Sequence, residues 1–248
     1  MYVLYTFVMG LGLILALPYY LVRFRKYLPS IRERLGFIDS ESGNPTVWVH
    51  AVSVGEVKAV DPLLDGLRRH FPNYRIVVST TTATGRSLAM KRSDLHRVVY
   101  FPLDLPGVVR RSLDRIRPEL IIVAETEIWP NFMRECDRRR IPVFMVNGRI
   151  SDRSYKRYLF TKRWLGRVLQ KYQFLGMQSE TDADRICAIG APRNKVVVLG
   201  NLKYDGADSV QILDSTFTAT LSQCEPLIVA ASTAAEEEPL VLDAYRRL

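Results

Sequence analysis

Five short segments hold side chains able to do acid–base or phosphate chemistry. They are Ser53-Val54-Gly55-Glu56, Thr80-Thr81-Thr82-Ala83-Thr84-Gly85-Arg86, Glu125-Thr126-Glu127, Asn147-Gly148-Arg149 and Gly200-Asn201-Leu202-Lys203-Tyr204-Asp205. A carboxylate near a sugar hydroxyl can take its proton. A lysine can stabilise negative charge on a departing phosphate. Hydroxyls and backbone N–H groups ahead of Arg86 can receive a phosphate. Taken singly, each segment also has a plainer reading. Glu56 suits a helix start through the macrodipole alone. The threonines suit a strand end followed by a helix cap. Glu125 and Glu127 suit solvated loop acids paired with arginines, and Lys203 suits an ordinary surface position.

The elements that must position these segments are legible as an alternation. Apolar runs of strand length recur at Val47–Val52, Arg75–Ser79, Arg97–Phe101, Leu120–Ala124, Val143–Val146, Gln173–Met177 and Val196–Leu199. They are rich in β-branched or aromatic residues and few alternate cleanly, as strands buried on both faces do. Amphipathic stretches lie between them. "EVKAVDPLLDGLRRHF" places Val57, Val60, Leu63, Leu64 and Leu67 at helical spacing, and "GVVRRSLDRI" does so with Val108, Val109, Leu113 and Ile116. "DADRICAIGAP" stops a helix at Gly190 and Pro192. The pattern predicts an open, parallel α/β sheet. Ligands of such sheets bind beyond the carboxyl ends of the strands, where all five segments fall. The threonine run lacks the spacing of a P-loop, and the chain has no GxGxxG.

From Met1 to Val22 there is no charged residue, and about 20 apolar residues suffice to span a bilayer. Tyr19 and Tyr20 lie near one end, and Arg23, Arg25, Lys26, Arg32 and Arg34 follow against a single Glu33. This predicts a transmembrane anchor over 1–22 and a basic juxtamembrane segment over 23–36. The rest of the chain is then cytoplasmic, against an anionic surface.

The chain has 248 residues, 48% hydrophobic and 25% charged, a globular composition. Its net charge of +9 favours anionic partners. The arginines after the anchor and at Arg138–Arg140 account for that excess, so no nucleic acid is expected. Three scattered cysteines, Cys136, Cys187 and Cys224, fit a reducing compartment, and no metal-site signature is present.

The motifs "HAVSVGE", "TTTATG", "YFPLDLPG", "ETEIWPN", "VNGRISDRS" and "GNLKYD" occur in this order. With the N-terminal apolar segment, they resemble the 3-deoxy-D-manno-octulosonic acid (Kdo) transferases of lipopolysaccharide synthesis. The resemblance implies a GT-B glycosyltransferase, with two Rossmann-like domains facing across a cleft. It implies inverting transfer of Kdo from CMP-Kdo to a lipid A precursor (lipid IVA) on the inner face of a bacterial inner membrane, with no cofactor and no metal. Carried over motif by motif, Glu56 is the proton acceptor, and Glu125 and Lys203 stabilise the transition state. Ser53, Gly55, Thr81, Thr82, Thr84, Gly85, Arg86, Glu127 and Arg149 are expected to bind the acceptor.

The expected organisation is an N-terminal Rossmann-like acceptor domain over 37–205, a linker over 206–225, and a C-terminal domain only begun over 226–248. A family motif close to STHxGEE aligns with Ser232-Thr233-Ala234-Ala235-Glu236-Glu237-Glu238, with Ala234 in place of the histidine and Glu236 in place of the glycine. Most of the nucleotide site is then expected to be missing, leaving the chain inactive alone. Two other readings compete: another GT-B transferase with a lipid acceptor, and a membrane-anchored module that only binds the lipid acceptor.

Overall fold

Seven strands form where the sequence carries its short apolar runs, because helices cover both faces of the sheet. The computed structural model describes residues 1–23, 30–40, 43–204, 230, 233–234 and 236–247, with side chains of the first helix described up to Ala16. The strands are β1 (Thr46–His50), β2 (Arg75–Thr80), β3 (Arg97–Tyr100), β4 (Pro118–Ala124), β5 (Val143–Gly148), β6 (Phe174–Met177) and β7 (Val196–Val198). All neighbours are parallel, in the order β3-β2-β1-β4-β5-β6-β7. The chain order reverses at β1, which pairs with β2 on one side and β4 on the other.

Alternate residues of each strand feed two cores. Val47, Val49, Ile76, Val78, Ile122 and Ala124 pack with helices α3 (Val54–Ala59), α4 (Asp61–His70) and α5 (Ala83–Ala89). Trp48, Val77, Ile121, Val123, Val143, Met145 and Leu175 face the other way. They meet α6 (Pro106–Ile116), α7 (Pro130–Arg138), α9 (Lys162–Leu169) and α10 (Glu180–Ile189). A sheet covered on both sides gives no polar/apolar alternation to read.

The amphipathic stretch at 56–71 forms two helices, α3 and α4, rather than one. Pro62 has no N–H to donate and its ring crowds the carbonyl a turn earlier, so the chain re-enters helix at Asp61. The stop at Gly190 is as expected. This residue has φ +118, and a Cβ there would lie 2.8 Å from the Gly166 Cα of α9. Helix α8 (Asp152–Phe160), ahead of α9, is not announced by the periodicity.

The N-terminal segment forms helix α1 (Tyr2–Arg23), and α2 (Ile31–Arg34) follows it. Among the described residues, however, no helix is long and apolar enough to cross a membrane, so the expected transmembrane anchor is not supported. The first turns of α1 are instead held by protein. The Tyr2 and Tyr5 rings pack on Trp164, and the Thr6 hydroxyl pairs with the Asn131 side chain. The opposite face, with Val3, Leu4, Phe7, Val8, Leu11, Ile14 and Leu15, is exposed.

The chain divides into two units, Met1–Asp208 and Ser209–Leu248. In the second, α11 (Glu238–Arg246) forms with Glu238 in its first turn, where the macrodipole favours an acid. Residues 24–29 of the basic segment lie outside the described residues. So do the linker 206–225 and, apart from residue 230, residues 226–232 at the start of the expected C-terminal domain.

Asp104 ties the rim-forming loop after β4 to the body. Its carboxylate accepts from the backbone N–H groups of Asn131 (3.0 Å) and Phe132 (2.7 Å), at the start of α7. The N-cap residue of α7, Trp129, offers no side-chain cap of its own. Asp104→Ala strands two buried donors and is expected to cost about 2–4 kcal/mol in urea unfolding. Asp104→Asn keeps one acceptor and should lose about half as much.

Candidate active site

Glu56 sits in a capping box. Ser53 is the N-cap of α3, its Oγ accepting from the Glu56 N–H (3.4 Å). The Glu56 carboxylate reaches back, accepting from Ser53 Oγ (2.9 Å) and from the Val52 N–H (2.7 Å). The S-x-x-E spacing is the sequence signature of this device. The box fixes the carboxylate's rotamer at the carboxyl end of β1, and Glu56 is only 8% exposed. Burial raises its pKa, the Val52 and Ser53 hydrogen bonds oppose this, and nearby Glu125 adds to the rise. The helix start alone would make it a weaker base; here the net direction is upward.

The threonine loop is built around the same turn. Thr82 caps α5, accepting from the Gly85 N–H (3.1 Å), and donates to the Val52 carbonyl (3.2 Å). A Cβ on Gly85 would meet Thr82 Oγ1 at 2.9 Å and the Val52–Ser53 backbone at 3.3 Å, so glycine lets α5 approach β1. Gly55 has no such packing reason: apart from Ser53 Oγ at 3.8 Å, a Cβ there would meet open space. Thr81 Oγ1 is buried without a partner within the protein. Thr84 lies within 3.5 Å of Thr82 Oγ1. Arg86 is engaged elsewhere. Its guanidinium forms two hydrogen bonds to Glu33 of α2 (2.9 and 3.0 Å) and lies over the Tyr100 ring. A hollow of about 310 Å³ that Arg86 helps to line also touches Glu33, Phe37 and Val99, and is lined by none of the rim carboxylates.

Across the sheet's switch point, Glu125 follows the end of β4 and adopts φ +59. A left-handed conformation costs a non-glycine residue roughly 1–2 kcal/mol, and no turn chemistry in the sequence asks for it. It turns the chain so that Thr126 exchanges two hydrogen bonds with the Arg149 backbone (2.7 and 2.9 Å). Tyr172 holds the Glu127 carbonyl from below (2.9 Å). Burial pushes the Glu127 carboxyl up to about 7, and Glu56 and Glu125 push the same way; the Trp129 indole opposes them. Glu56, Glu125 and Glu127 therefore lie within one another's fields. Among the described residues, no group of three or more His, Cys, Asp or Glu side chains is arranged to hold a metal ion.

Lys203 and Arg149 are exposed at the same rim. The 3₁₀ turn Leu202–Tyr204 that carries Lys203 packs against α3. His50, at the end of β1, is no competing base. It is fully buried, stacks on Phe101 at 3.9 Å, and burial lowers its pKa to about 3, so it is neutral. Two contributors are hidden from a sequence reading. One is the Val52 peptide, which no side-chain pattern marks. The other is Asn147, which the motif contains but whose role needs tertiary contacts.

The profile of the family described as 3-deoxy-D-manno-octulosonic-acid transferase (kdotransferase) matches residues 29–206. The chain belongs to this family. It is 34% identical over 233 residues to a 3-deoxy-D-manno-octulosonic acid transferase of Haemophilus influenzae, covering 92% of this chain and 54% of the relative. It is 33% identical over 184 residues to one from Chlamydia trachomatis, covering 72% and 42%. A bifunctional glycosyltransferase/methyltransferase of Fusobacterium nucleatum is 36% identical over 208 residues, covering 82% and 32%. The chain thus spans about half the length or less of the curated relatives it matches. A putative UDP-N-acetylglucosamine 2-epimerase from Listeria monocytogenes shares the fold of this Kdo transferase family chain. The TM-score is 0.52 at 11% identity, covering 72% of this chain and 51% of that one.

The carboxylate cluster has a measurable signature. Because folding raises Glu127 from 4.5 to about 7, the folded state binds the extra proton between those values. Stability is therefore full below about 4.5 and falls as pH rises through 7. Glu127→Gln should stabilise the chain by about 2–3 kcal/mol at pH 8 and by little at pH 4.5, read by urea unfolding at both. An equal effect at the two pH values would contradict the raised Glu127 carboxyl.

Proposed function

We propose that this chain forms the acceptor-side half of a GT-B Kdo transferase, moving Kdo from CMP-Kdo to a hydroxyl of a lipid A precursor. The observation that carries this reading is the fixed, buried Glu56 carboxylate facing Glu125 across the point where strand order reverses. Crevices at such points take the ligands of open α/β sheets.

In the proposed step, Glu56 takes the acceptor hydroxyl proton on a lone pair not used by Val52 or Ser53. The acceptor oxygen attacks the anomeric carbon from the face opposite the leaving group. The new C–O bond forms as the bond to the CMP phosphate breaks, and CMP departs with the electron pair, inverting the centre. Its upward-shifted pKa makes Glu56 a better proton acceptor than an exposed glutamate. Lys203 offers positive charge to the departing phosphate, and Glu125 stabilises positive charge developing on the sugar. The open space over Gly55 leaves room for the acceptor above the base. Ser53 fixes that base, and Thr81, Thr82, Thr84, Gly85, Glu127 and Arg149 frame the same rim. The CMP portion of the donor would be held largely by a second domain.

The acceptor is a lipid, and the exposed apolar face of α1 supports membrane association. In this reading, the rim faces the cytoplasmic leaflet of the inner membrane with α1 lying against it.

Two measurements test the proposal. The first assays transfer from CMP-Kdo to lipid IVA after the chain is paired with a complete second domain. Glu56→Gln should lower transfer by roughly 10²–10⁴-fold with an unchanged circular dichroism spectrum; transfer near the unsubstituted rate would remove Glu56 from the mechanism. In the second, the chain should co-sediment with vesicles containing phosphatidylglycerol, and Phe7→Asp with Leu11→Asp should release it. Binding that survives both changes would assign the contact elsewhere.

A further inference from the structure

Asn147 lies next to the end of β5 in the left-handed region, at φ +58, and is 1% exposed. The β5–β6 pairing shifts register between Met145 and Gly148, so Asn147 sits in an irregularity of the ladder. Such bulges re-aim side chains, often beside active sites. Here the Asn147 Oδ1 accepts from the Leu202 N–H at 3.1 Å. That bond fixes which end of the amide is oxygen. The Asn147 carbonyl accepts from Gln178 Nε2 (3.1 Å), and its Nδ2 is buried without a partner within the protein. The neighbouring Val146 carbonyl accepts from the Glu125 N–H (2.8 Å). In the turn itself, the Lys203 N–H donates to Asn201 Oδ1 (3.1 Å).

We propose that Asn147 is a positioning residue that clamps the Leu202–Tyr204 turn over α3 and so sets where Lys203 stands relative to Glu56. It acts through the turn and touches no reacting atom. The link to catalysis rests on reading Lys203 as the rim cation; the clamp itself does not. The chemistry of the position selects asparagine. Glycine tolerates the left-handed backbone but has no acceptor, and few other residues tolerate it. Aspartate has the acceptor but would bring a further charge towards Glu125 and the other rim acids.

The test is amide hydrogen exchange on the full chain, read at Leu202 and Lys203 with the β4 amides as internal reference. Asn147→Gly should speed exchange at Leu202 by about tenfold or more and leave β4 within about twofold. Asn147→Asp keeps the acceptor and should keep Leu202 within about threefold of the unsubstituted chain. A residue needed only for its backbone conformation would give the reverse order, glycine best and aspartate worse. Unchanged Leu202 exchange in Asn147→Gly overturns the clamp, as does Asn147→Asp exchanging as fast as Asn147→Gly. Leu202→Pro removes the donor from the other end, so it should accelerate Lys203 exchange if Asn147→Gly does not fold; no acceleration there also overturns the clamp. Exchange does not depend on transfer. A failed transfer assay with an intact clamp would therefore count against the catalytic reading alone.

Discussion

Both backbone polar groups of Val52 are committed. Its N–H is held by the Glu56 carboxylate, and its carbonyl accepts from the Thr82 hydroxyl and, at 3.2 Å, from the Thr81 and Thr82 N–H groups. The backbone of one residue therefore joins the end of β1 to the starts of α3 and α5. A short hydrogen bond from a buried N–H to a carboxylate belongs to the stronger class of such interactions. Removing either partner leaves the other unsatisfied away from water. Because two helix caps share this unit, neither helix start can move without disturbing the other.

The second constraint is electrostatic. Three glutamates share the rim, and burial together with mutual repulsion raises the pKa of Glu56 and Glu127. Glu125 also occupies a backbone region that disfavours its side chain. Both arrangements cost folding free energy, and neither improves the core. Strain and like charge gathered at the carboxyl end of a parallel sheet are the usual marks of a site kept for its chemistry.

Much of this was legible in the residues. The seven apolar runs became the seven strands because each is short and rich in β-branched or aromatic residues, and the rim segments follow from strand polarity. Glu56 and Ser53 carry a further signal, since S-x-x-E is a local pattern with a local cause. Other features lay beyond a linear reading. The salt bridge of Arg86 to Glu33 spans 53 positions, and nothing near Arg86 announces it. The burial of His50 depends on Phe101, from another strand end. The N-terminal helix formed, but its docking through Tyr2, Tyr5 and Thr6 uses residues that look equally suited to a bilayer edge.

The close approach at Gly85 bears on how such sequences can diverge. A methyl group there would press on Thr82 and on the Val52–Ser53 backbone, and through that backbone on the carboxylate it holds. Whatever it contributes to the acceptor rim, the freedom of this glycine to vary is bounded by the geometry of Glu56. The motifs "HAVSVGE" and "TTTATG" are separate in the chain but meet at one backbone contact, and a graft of either alone into a distant relative would carry half of a joint.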